Sequence, residues 1–97
     1  MKARLVQNRK LVLGRRVAIQ ERIWVVPQAV PGCYHGYKYS LALIVDGECV
    51  LRYDNERGKG DHRHFRDRES TYVFVSLERL KDDFQADVQR ILQEVKP

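Results

Sequence analysis

The sequence predicts an α+β fold, an antiparallel sheet of four to five strands with one long C-terminal helix packed on one face. Apolar residues recur at every second position through most of the first half of the chain, as they do along strands with one buried face. The last twenty residues change to a three- and four-residue spacing, which is typical of an amphipathic helix. Strands followed by a separate helix favour the α+β class over alternating βα units. With 97 residues, the chain is expected to form a single domain, residues 1–97, with one small core.

The first two strands are predicted on either side of a turn at Gly14-Arg15. Lys2–Leu13 carries apolar residues on both faces and is interpreted as one long strand, bent near Asn8. Arg16–Val26 alternates clearly. Glu21 interrupts the apolar face of this second strand, which predicts a bulge or a sheet edge at that position.

A loop is predicted between the second and third strands. Residues 27–36 hold two of the three prolines of the chain, and a strand cannot run through both. Pro31-Gly32 fits the central positions of a type II turn. The loop should therefore cross one end of the sheet.

The next two strands form a predicted hairpin. Tyr37–Val45 is the clearest strand, and Asp46-Gly47 is a strong signal for a two-residue hairpin turn. Glu48–Tyr53 then returns antiparallel. This return should bring the following stretch, residues 54–64, next to His35 and Lys38.

The C-terminal part is predicted as a short strand and the helix. Thr71–Val75 is rich in β-branched and aromatic residues. Ser76 is a good N-cap, and an apolar stripe runs through Leu77–Val95 at helical spacing. We expect this stripe to pack on the sheet as core.

The stretch from Tyr53 to His64 is the main candidate for chemistry. Gly58 and Gly60 flank Lys59, so the backbone can bend sharply and present N–H groups to an anion. If residues 62–64 are extended, the side chains of His62 and His64 share a face, about 6.6 Å apart at a rise of roughly 3.3 Å per residue. That spacing suits an acid and a base acting on one phosphate, or two metal ligands.

Charge and composition bound the function classes. The chain carries a net charge of +5, and residues 1–22 hold seven cations against Glu21 alone, a net +6. This asymmetry favours an anionic partner such as RNA, DNA or an acidic protein surface. No apolar run approaches the length of a membrane span, and the first residues are too charged for a secretion signal, so a cytoplasmic location with reduced cysteines is expected.

Three segments of the sequence resemble a known family. They run from Pro31-Gly32 through His35-Gly36-Tyr37-Lys38-Tyr39, from Leu41-Ala42 to Asp46-Gly47-Glu48, and from Tyr53 to His64. Together they resemble the TumE-type toxins of bacterial and archaeal toxin–antitoxin operons. The resemblance implies a growth-inhibiting toxin that is encoded beside a helix-turn-helix antitoxin and neutralised by it. It implies no catalytic assignment.

The leading hypothesis is a metal-independent endoribonuclease that needs no cofactor. RNA cleavage requires a base for the 2′-hydroxyl, an acid for the leaving 5′-oxygen and cations around the phosphate. His62 and His64 would divide the first two roles, with His35 as a competitor for either. The predicted catalytic residues are His62, His64, His35, Lys59 and Asp61, and the predicted substrate-binding residues are Lys38, Arg57, Arg63 and Tyr53.

Two alternatives remain open at this stage. One is a divalent-metal phosphodiesterase with Asp54, Asp61 and the histidine pair as ligands. The other is a non-enzymatic module that binds nucleic acid or the ribosome through its cations alone. In each case the antitoxin is expected to dock an acidic segment on the basic face of residues 1–22 or over the Gly58–His64 loop, or else to contact the Leu77–Val95 helix through apolar residues.

Overall fold

The computed structural model describes residues 2–95 as one antiparallel sheet and one helix. The elements, in chain order, are β1 (Arg4–Leu13), β2 (Val17–Val25), β3 (Tyr37–Val45), β4 (Glu48–Glu56), β5 (Gly60–Phe65), β6 (Arg68–Thr71) and α1 (Leu77–Glu94). Each strand pairs antiparallel with the next, so the spatial order is β1-β2-β3-β4-β5-β6. The predicted α+β class and C-terminal helix are confirmed, and the sheet has six strands instead of four to five.

The additional strand lies where a loop is predicted. β4 continues past Tyr53 to Glu56, a three-residue turn follows, and β5 begins at Gly60. The last strand is Arg68–Thr71, whereas most of the predicted Thr71–Val75 strand is not part of the sheet. The strands of this hairpin are not recognisable from the sequence. One of its faces is open to solvent and needs no apolar residues, so the apolar alternation typical of a strand is missing.

Two predicted turns are confirmed by backbone geometry. Asp46 and Gly47 have φ angles of 53° and 82°, and a two-residue hairpin turn with both values positive matches the twist of the strands. Gly32 has a φ of 96°, and the Cys33 N–H donates to the Val30 carbonyl over 2.8 Å, as in a type II turn.

The predicted irregularity at Glu21 is wrong. Glu21 pairs in register with Arg9 on one side and Leu41 on the other, and the only shift between β1 and β2 lies between Leu5 and Gln7. Glu21 is buried at 4% exposure and is tolerated because Gln7 Nε2 donates to Oε1 over 3.2 Å and Arg9 lies 3.8 Å away.

The helix covers one side of the sheet, which we call the helix face. Ser76 is the N-cap, and its hydroxyl accepts from the Arg79 N–H over 3.0 Å. The core consists of buried residues of the helix stripe and of the helix face: Leu80, Phe84, Val88 and Ile91 against Ile23, Tyr39, Leu41, Leu43, Leu51 and Tyr53. The opposite side carries no helix among residues 2–95, and we call it the open face. In the same range, no helix has both the length and the apolar character that crossing a membrane requires.

Two glycines allow the proline-containing loop to lie directly on the β4–β5 turn. A Cβ atom at Gly32 would lie 2.9 Å from the Gly60 nitrogen, and one at Gly60 would lie 2.8 Å from the Gly32 oxygen. The Gly58 N–H also donates to the Pro31 carbonyl over 2.7 Å. This backbone contact fixes the loop across the end of the sheet.

An ion pair joins the sheet to the helix. Arg63 Nε donates to Asp87 over 2.8 Å, and the Tyr53 hydroxyl also donates to this buried carboxylate. Burial alone would raise the pKa of Asp87, but the hydrogen bonds from Arg63 and Tyr53 and the Arg63 charge outweigh it and lower the pKa. The group therefore stabilises the fold at neutral pH.

Replacing Gly60 should lower the free energy of unfolding far more than replacing Gly58. Both have positive φ angles, 77° and 83°, but a Cβ at Gly58 meets nothing within 4 Å. Gly58→Ala should lower the free energy of unfolding by about 1–2 kcal/mol, the cost of the left-handed backbone alone. Gly60→Ala should lower it by roughly 3–4 kcal/mol, because the backbone of Gly32 must also move. Urea unfolding of both variants measures the difference, and equal losses would contradict the close approach.

Removing the charge of Asp87 should lower the stability of the fold and reduce the dependence of that stability on pH. Because the folded-state pKa lies below the ordinary value of 3.8, the contribution is present above that pH and is lost as the pH falls through the lowered value. Asp87→Asn should cost roughly 1–3 kcal/mol at neutral pH, since Arg63 loses its carboxylate. The control is Asp82→Asn, at an exposed position of the same helix. Thermal melts from pH 3 to pH 7 measure both effects, and a loss that is independent of pH would refute the ion-pair explanation.

Candidate active site

The strand register aligns polar side chains in rows across the open face. One row runs from β1 to β6 through Lys10, Gln20, Ala42, Arg52, His64 and Glu69. The next row runs through Asn8, Arg22, Ser40, Asp54, His62 and Thr71. A third, shorter row holds Leu5, Trp24 and Lys38. Since neighbouring strands lie about 4.8 Å apart, each row is a continuous line of side chains.

The two predicted acid–base histidines lie side by side in these rows. Residues 62–64 are extended within β5, and the ring centroids of His62 and His64 are 6.3 Å apart. The side chain of His62 is 15% exposed and that of His64 is 33% exposed. Both imidazoles therefore face the same uncovered surface.

His62 is held between two hydrogen-bond acceptors. Its Nε2 lies 2.6 Å from the Lys59 carbonyl oxygen, and its Nδ1 lies 3.2 Å from Glu69 Oε1. Since a carbonyl and a carboxylate only accept, the ring satisfies both neighbours when each nitrogen carries a proton. Nδ1 is buried and has no well-aligned hydrogen bond among the described residues, so another group can reach it only if Glu69 moves away.

His64 lies against a buried carboxylate. Its Nε2 is 3.4 Å from Asp54 Oδ1 and 4.0 Å from Glu69 Oε1. The Asp54 side chain is only 10% exposed, and Oδ1 accepts no hydrogen bond from any residue in the range 2–95. A buried carboxylate oxygen without a donor is costly, and it favours the tautomer of His64 with its proton on Nε2, the nitrogen that faces Asp54.

Cations lie on the open face to one side of the pair, on β2, β3 and β4. Arg52 lies directly opposite His64 in the register and 3.9 Å from Asp54, with 45% of its side chain exposed. Lys38 is exposed, and its ammonium donates to the Asn55 carbonyl over 3.5 Å. Arg22, also exposed, lies in the same row as His62.

His35 lies close to the 59–64 segment, as predicted, but on the other side of the sheet. Its Nε2 is 2.8 Å from Asp61 Oδ1, and Asp61 precedes His62, so its side chain emerges on the helix face. The sheet therefore separates His35 and Asp61 from His62 and His64. The predicted composite of three histidines cannot act on one phosphate.

The cluster around His35 and Asp61 is a partly buried hydrogen-bond network that lines a cavity of about 390 Å³. The Tyr39 hydroxyl donates to Asp61 Oδ1 over 2.6 Å, and the Phe74 ring stacks on His35 with centroids 3.7 Å apart. The Tyr37 N–H donates to His35 Nδ1 over 3.2 Å, which places the ring proton on Nε2, facing Asp61. Burial and the hydrogen bond to Asp61 raise the pKa of Tyr39, so its hydroxyl stays protonated as a donor.

The same cluster contains the one compact set of metal-ligand atoms found in residues 2–95. Atoms of Cys33, His35 and Asp61 lie within 4.8 Å of one another. Burial, followed by the charge of Asp61, raises the pKa of the Cys33 thiol, and the proton on His35 Nε2 occupies the position that a metal would take. These contacts favour a structural role. Asp54 and Asp61 point to opposite faces, so of the ligands in the metal-dependent alternative only Asp54 and the histidine pair share a face.

Four other predicted site residues lie away from the histidine pair or act differently. Arg63 points to the helix face and binds Asp87, and Tyr53 is 3% exposed in the core, so it cannot stack on a base. Lys59 and Arg57 lie in the exposed β4–β5 turn. Lys59 contributes its carbonyl to His62, while its ammonium lies 4.0 Å from Glu56.

Sequence reasoning missed Arg52 and Glu69 and considered Asp54 only as a metal ligand. The signal for Arg52 and Asp54 is their two-residue spacing, which matches that of His62 and His64. It becomes visible only when β4 is extended beyond Tyr53 and paired with β5. Glu69 has no comparable signal, because its position depends on the tight β5–β6 turn.

The family model described as "Toxin TumE" matches residues 2–92. Neither the curated proteins nor the solved structures contain a significant match. Since the matched region spans nearly the whole chain, this protein belongs to the TumE toxin family.

Proposed function

We propose that this toxin inhibits growth by cleaving RNA on the open face of its sheet, with His62 and His64 as a metal-independent acid–base pair. The observation that carries the proposal is the placement of both imidazoles, 6.3 Å apart, on an uncovered face lined with cations. A phosphate between two imidazoles can receive a proton on one side and lose one on the other. The occupancy hypothesis needs the cations but gives no reason for the two imidazoles to share this face.

His64 is the proposed base. It takes the proton of the 2′-hydroxyl as that oxygen attacks the adjacent phosphorus. The proton is accepted on Nδ1, because Nε2 faces Asp54 Oδ1 at 3.4 Å, and the imidazolium that forms donates from Nε2 to this buried oxygen. Asp54 is thus a positioning residue that stabilises the protonated base, as a carboxylate does beside a catalytic histidine.

His62 is the proposed acid. In this role the ring carries a proton on each nitrogen, and Glu69, on the short edge strand β6, is 44% exposed and can be displaced by substrate. The proton on Nδ1 passes to the 5′-oxygen as the P–O5′ bond breaks. The products are a 2′,3′-cyclic phosphate and a free 5′-hydroxyl, and the two protons balance across the step.

Arg52 is the proposed charge stabiliser. It is half exposed beside His64 and is the nearest open-face cation to Asp54. A guanidinium on this side stabilises the negative charge that develops on the phosphorane oxygens. Lys59 and Arg63 do not reach this position, since one lies in the turn and the other binds Asp87.

The proposed biological setting goes beyond the family assignment. RNA, free or on the ribosome, is the proposed substrate, and the cytoplasm is the compartment that contains it. The TumE family implies an antitoxin in general. We propose that this partner is a helix-turn-helix protein that restrains the nuclease until it is degraded.

Histidine variants test the chemistry. His64→Ala and His62→Ala should each reduce the cleavage rate of a fluorescent single-stranded RNA by about 10²–10⁴-fold, and wild-type products should carry a 2′,3′-cyclic phosphate. Asp54→Asn should lower the rate while leaving RNA binding intact. The control is His35→Gln, checked for folding, because His35 lies on the other face.

Two outcomes would reject this mechanism. If EDTA abolishes cleavage and a divalent ion restores it, the metal-dependent alternative is correct. If the double variant of His62 and His64 remains fully toxic in cells, inhibition by occupancy is correct.

Trp24 provides a separate measurement of binding. It is the single tryptophan of the chain and lies in the third row of the open face between Leu5 and Lys38. A single-stranded RNA with a 2′-deoxy group at the cleaved nucleotide should quench its fluorescence. Arg22→Gln and Lys38→Gln should each reduce the slope of log affinity against log salt by about one.

Arg79→Gln, on the helix, is the control for the binding measurement. It removes the same charge from an exposed side chain that binds Asp83 far from the open face. Its salt slope should match that of the wild type. If Arg22→Gln, Lys38→Gln and Arg79→Gln all gave the wild-type salt slope, RNA would bind elsewhere.

A further inference from the structure

β1 is an exposed edge of the sheet. It is ten residues long, every residue except Gln7 is exposed, and it pairs only with β2 among the described residues. Its large apolar side chains are 36–62% exposed: Leu5, Val6, Leu11, Val12 and Leu13. A long apolar edge with unpaired N–H and C=O groups is a template for another strand, and proteins rarely leave one uncovered.

An apolar groove continues from this edge along the helix face. A cavity of about 450 Å³ lies between residues 13–17 of the β1–β2 hairpin and Leu92 and Val95 near the end of α1. A smaller hollow of about 110 Å³ follows beside Leu11 and Phe84. The single helix thus leaves the β1 side of the helix face partly uncovered.

The positive charge around this edge favours a partner strand that carries acidic residues. Residues 2–16 contain six cations and no acidic residue. Arg16 is held by Asp46 over 2.8 Å, and Arg9 lies 3.8 Å from Glu21. Arg4 is exposed at the start of β1, and Arg15 is exposed in the turn that follows it. A second copy of this chain would bring like charges together, whereas an acidic strand would be attracted.

We propose that the antitoxin adds an extended acidic segment to the outer side of β1 as a seventh strand. Its backbone pairs with the free edge, alternate apolar side chains fill the groove beside Leu13, Leu92 and Val95, and acidic side chains meet Arg4 and Arg15. The proposal rests on the proposed antitoxin partner but not on RNA cleavage. It replaces docking over the Gly58–His64 loop, because that segment is already paired within the sheet.

Hydrogen–deuterium exchange of the complex tests the location. The toxin is co-expressed with the antitoxin encoded beside it, and the purified complex is compared with the free toxin. Backbone amides of residues 4–13 should exchange at least tenfold more slowly in the complex. Unchanged exchange in this segment, with protection of the open face or of the exposed side of α1, would overturn the proposal.

Charge reversal tests the chemistry of the contact. Arg4→Glu with Arg15→Glu should slow association by at least tenfold at low salt, and the difference should shrink as salt is raised. The matched control is Arg66→Glu with Arg68→Glu, which makes the same charge change at the opposite edge of the sheet, near β6. Equal effects of the two pairs would reject a specific acidic contact at β1.

Two further results distinguish a second copy of the chain from the antitoxin at β1, and test the ribonuclease proposal independently of this inference. Protection of residues 4–13 in free toxin that is lost on dilution would identify a second copy as the occupant and overturn the antitoxin assignment. The Arg4/Arg15 variant should cleave RNA at the wild-type rate. If cleavage is absent in every variant while β1 is protected by antitoxin, the ribonuclease proposal fails and this inference stands.

Discussion

The pairing of β4 with β5 is the constraint on which the rest of the molecule depends. With Asp54 opposite His62 and Tyr53 opposite Arg63, the two histidines face outward and Arg63 faces the helix. A shift of one residue would exchange the two sets, since alternate side chains point to opposite faces. Three contacts on the helix face hold the register: the Arg63–Asp87 ion pair, the hydrogen bonds of Asp61 and the close approach of Gly60 to the proline-containing loop.

The sequence predicts the parts of this fold that are set by local chemistry. The Asp46-Gly47 turn, the Ser76 cap and the apolar stripe of α1 each have a short-range signal, and each is found where it was expected. The β4–β5 hairpin has no such signal, because an uncovered polar face removes the apolar alternation by which a strand is recognised. Its charged residues therefore resemble a loop.

The candidate site was predictable in composition but not in arrangement. The spacing of His62 and His64 gave their shared face directly, and the hairpin at Asp46-Gly47 brought His35 to the correct end of the sheet. Which face His35 occupies depends on the course of the proline-containing loop, and that course depends on the contact between Gly32 and Gly60. No pattern along the sequence reports a contact between two loop backbones. The separation of His35 from the histidine pair was visible only in three dimensions.

The separation of the open face from the apolar β1 edge suggests how the toxin is controlled. The proposed antitoxin strand lies beside β1, five strand spacings from His64 on β5, or roughly 24 Å at about 4.8 Å per spacing. At that distance an extended segment does not fill the histidine site. Lys10, however, begins on β1 the row that ends at His64 and Glu69, so a partner at this edge would cover the far end of the cationic surface. Neutralisation would then weaken RNA binding and leave the acid–base pair intact, which makes it reversible as soon as the antitoxin is removed.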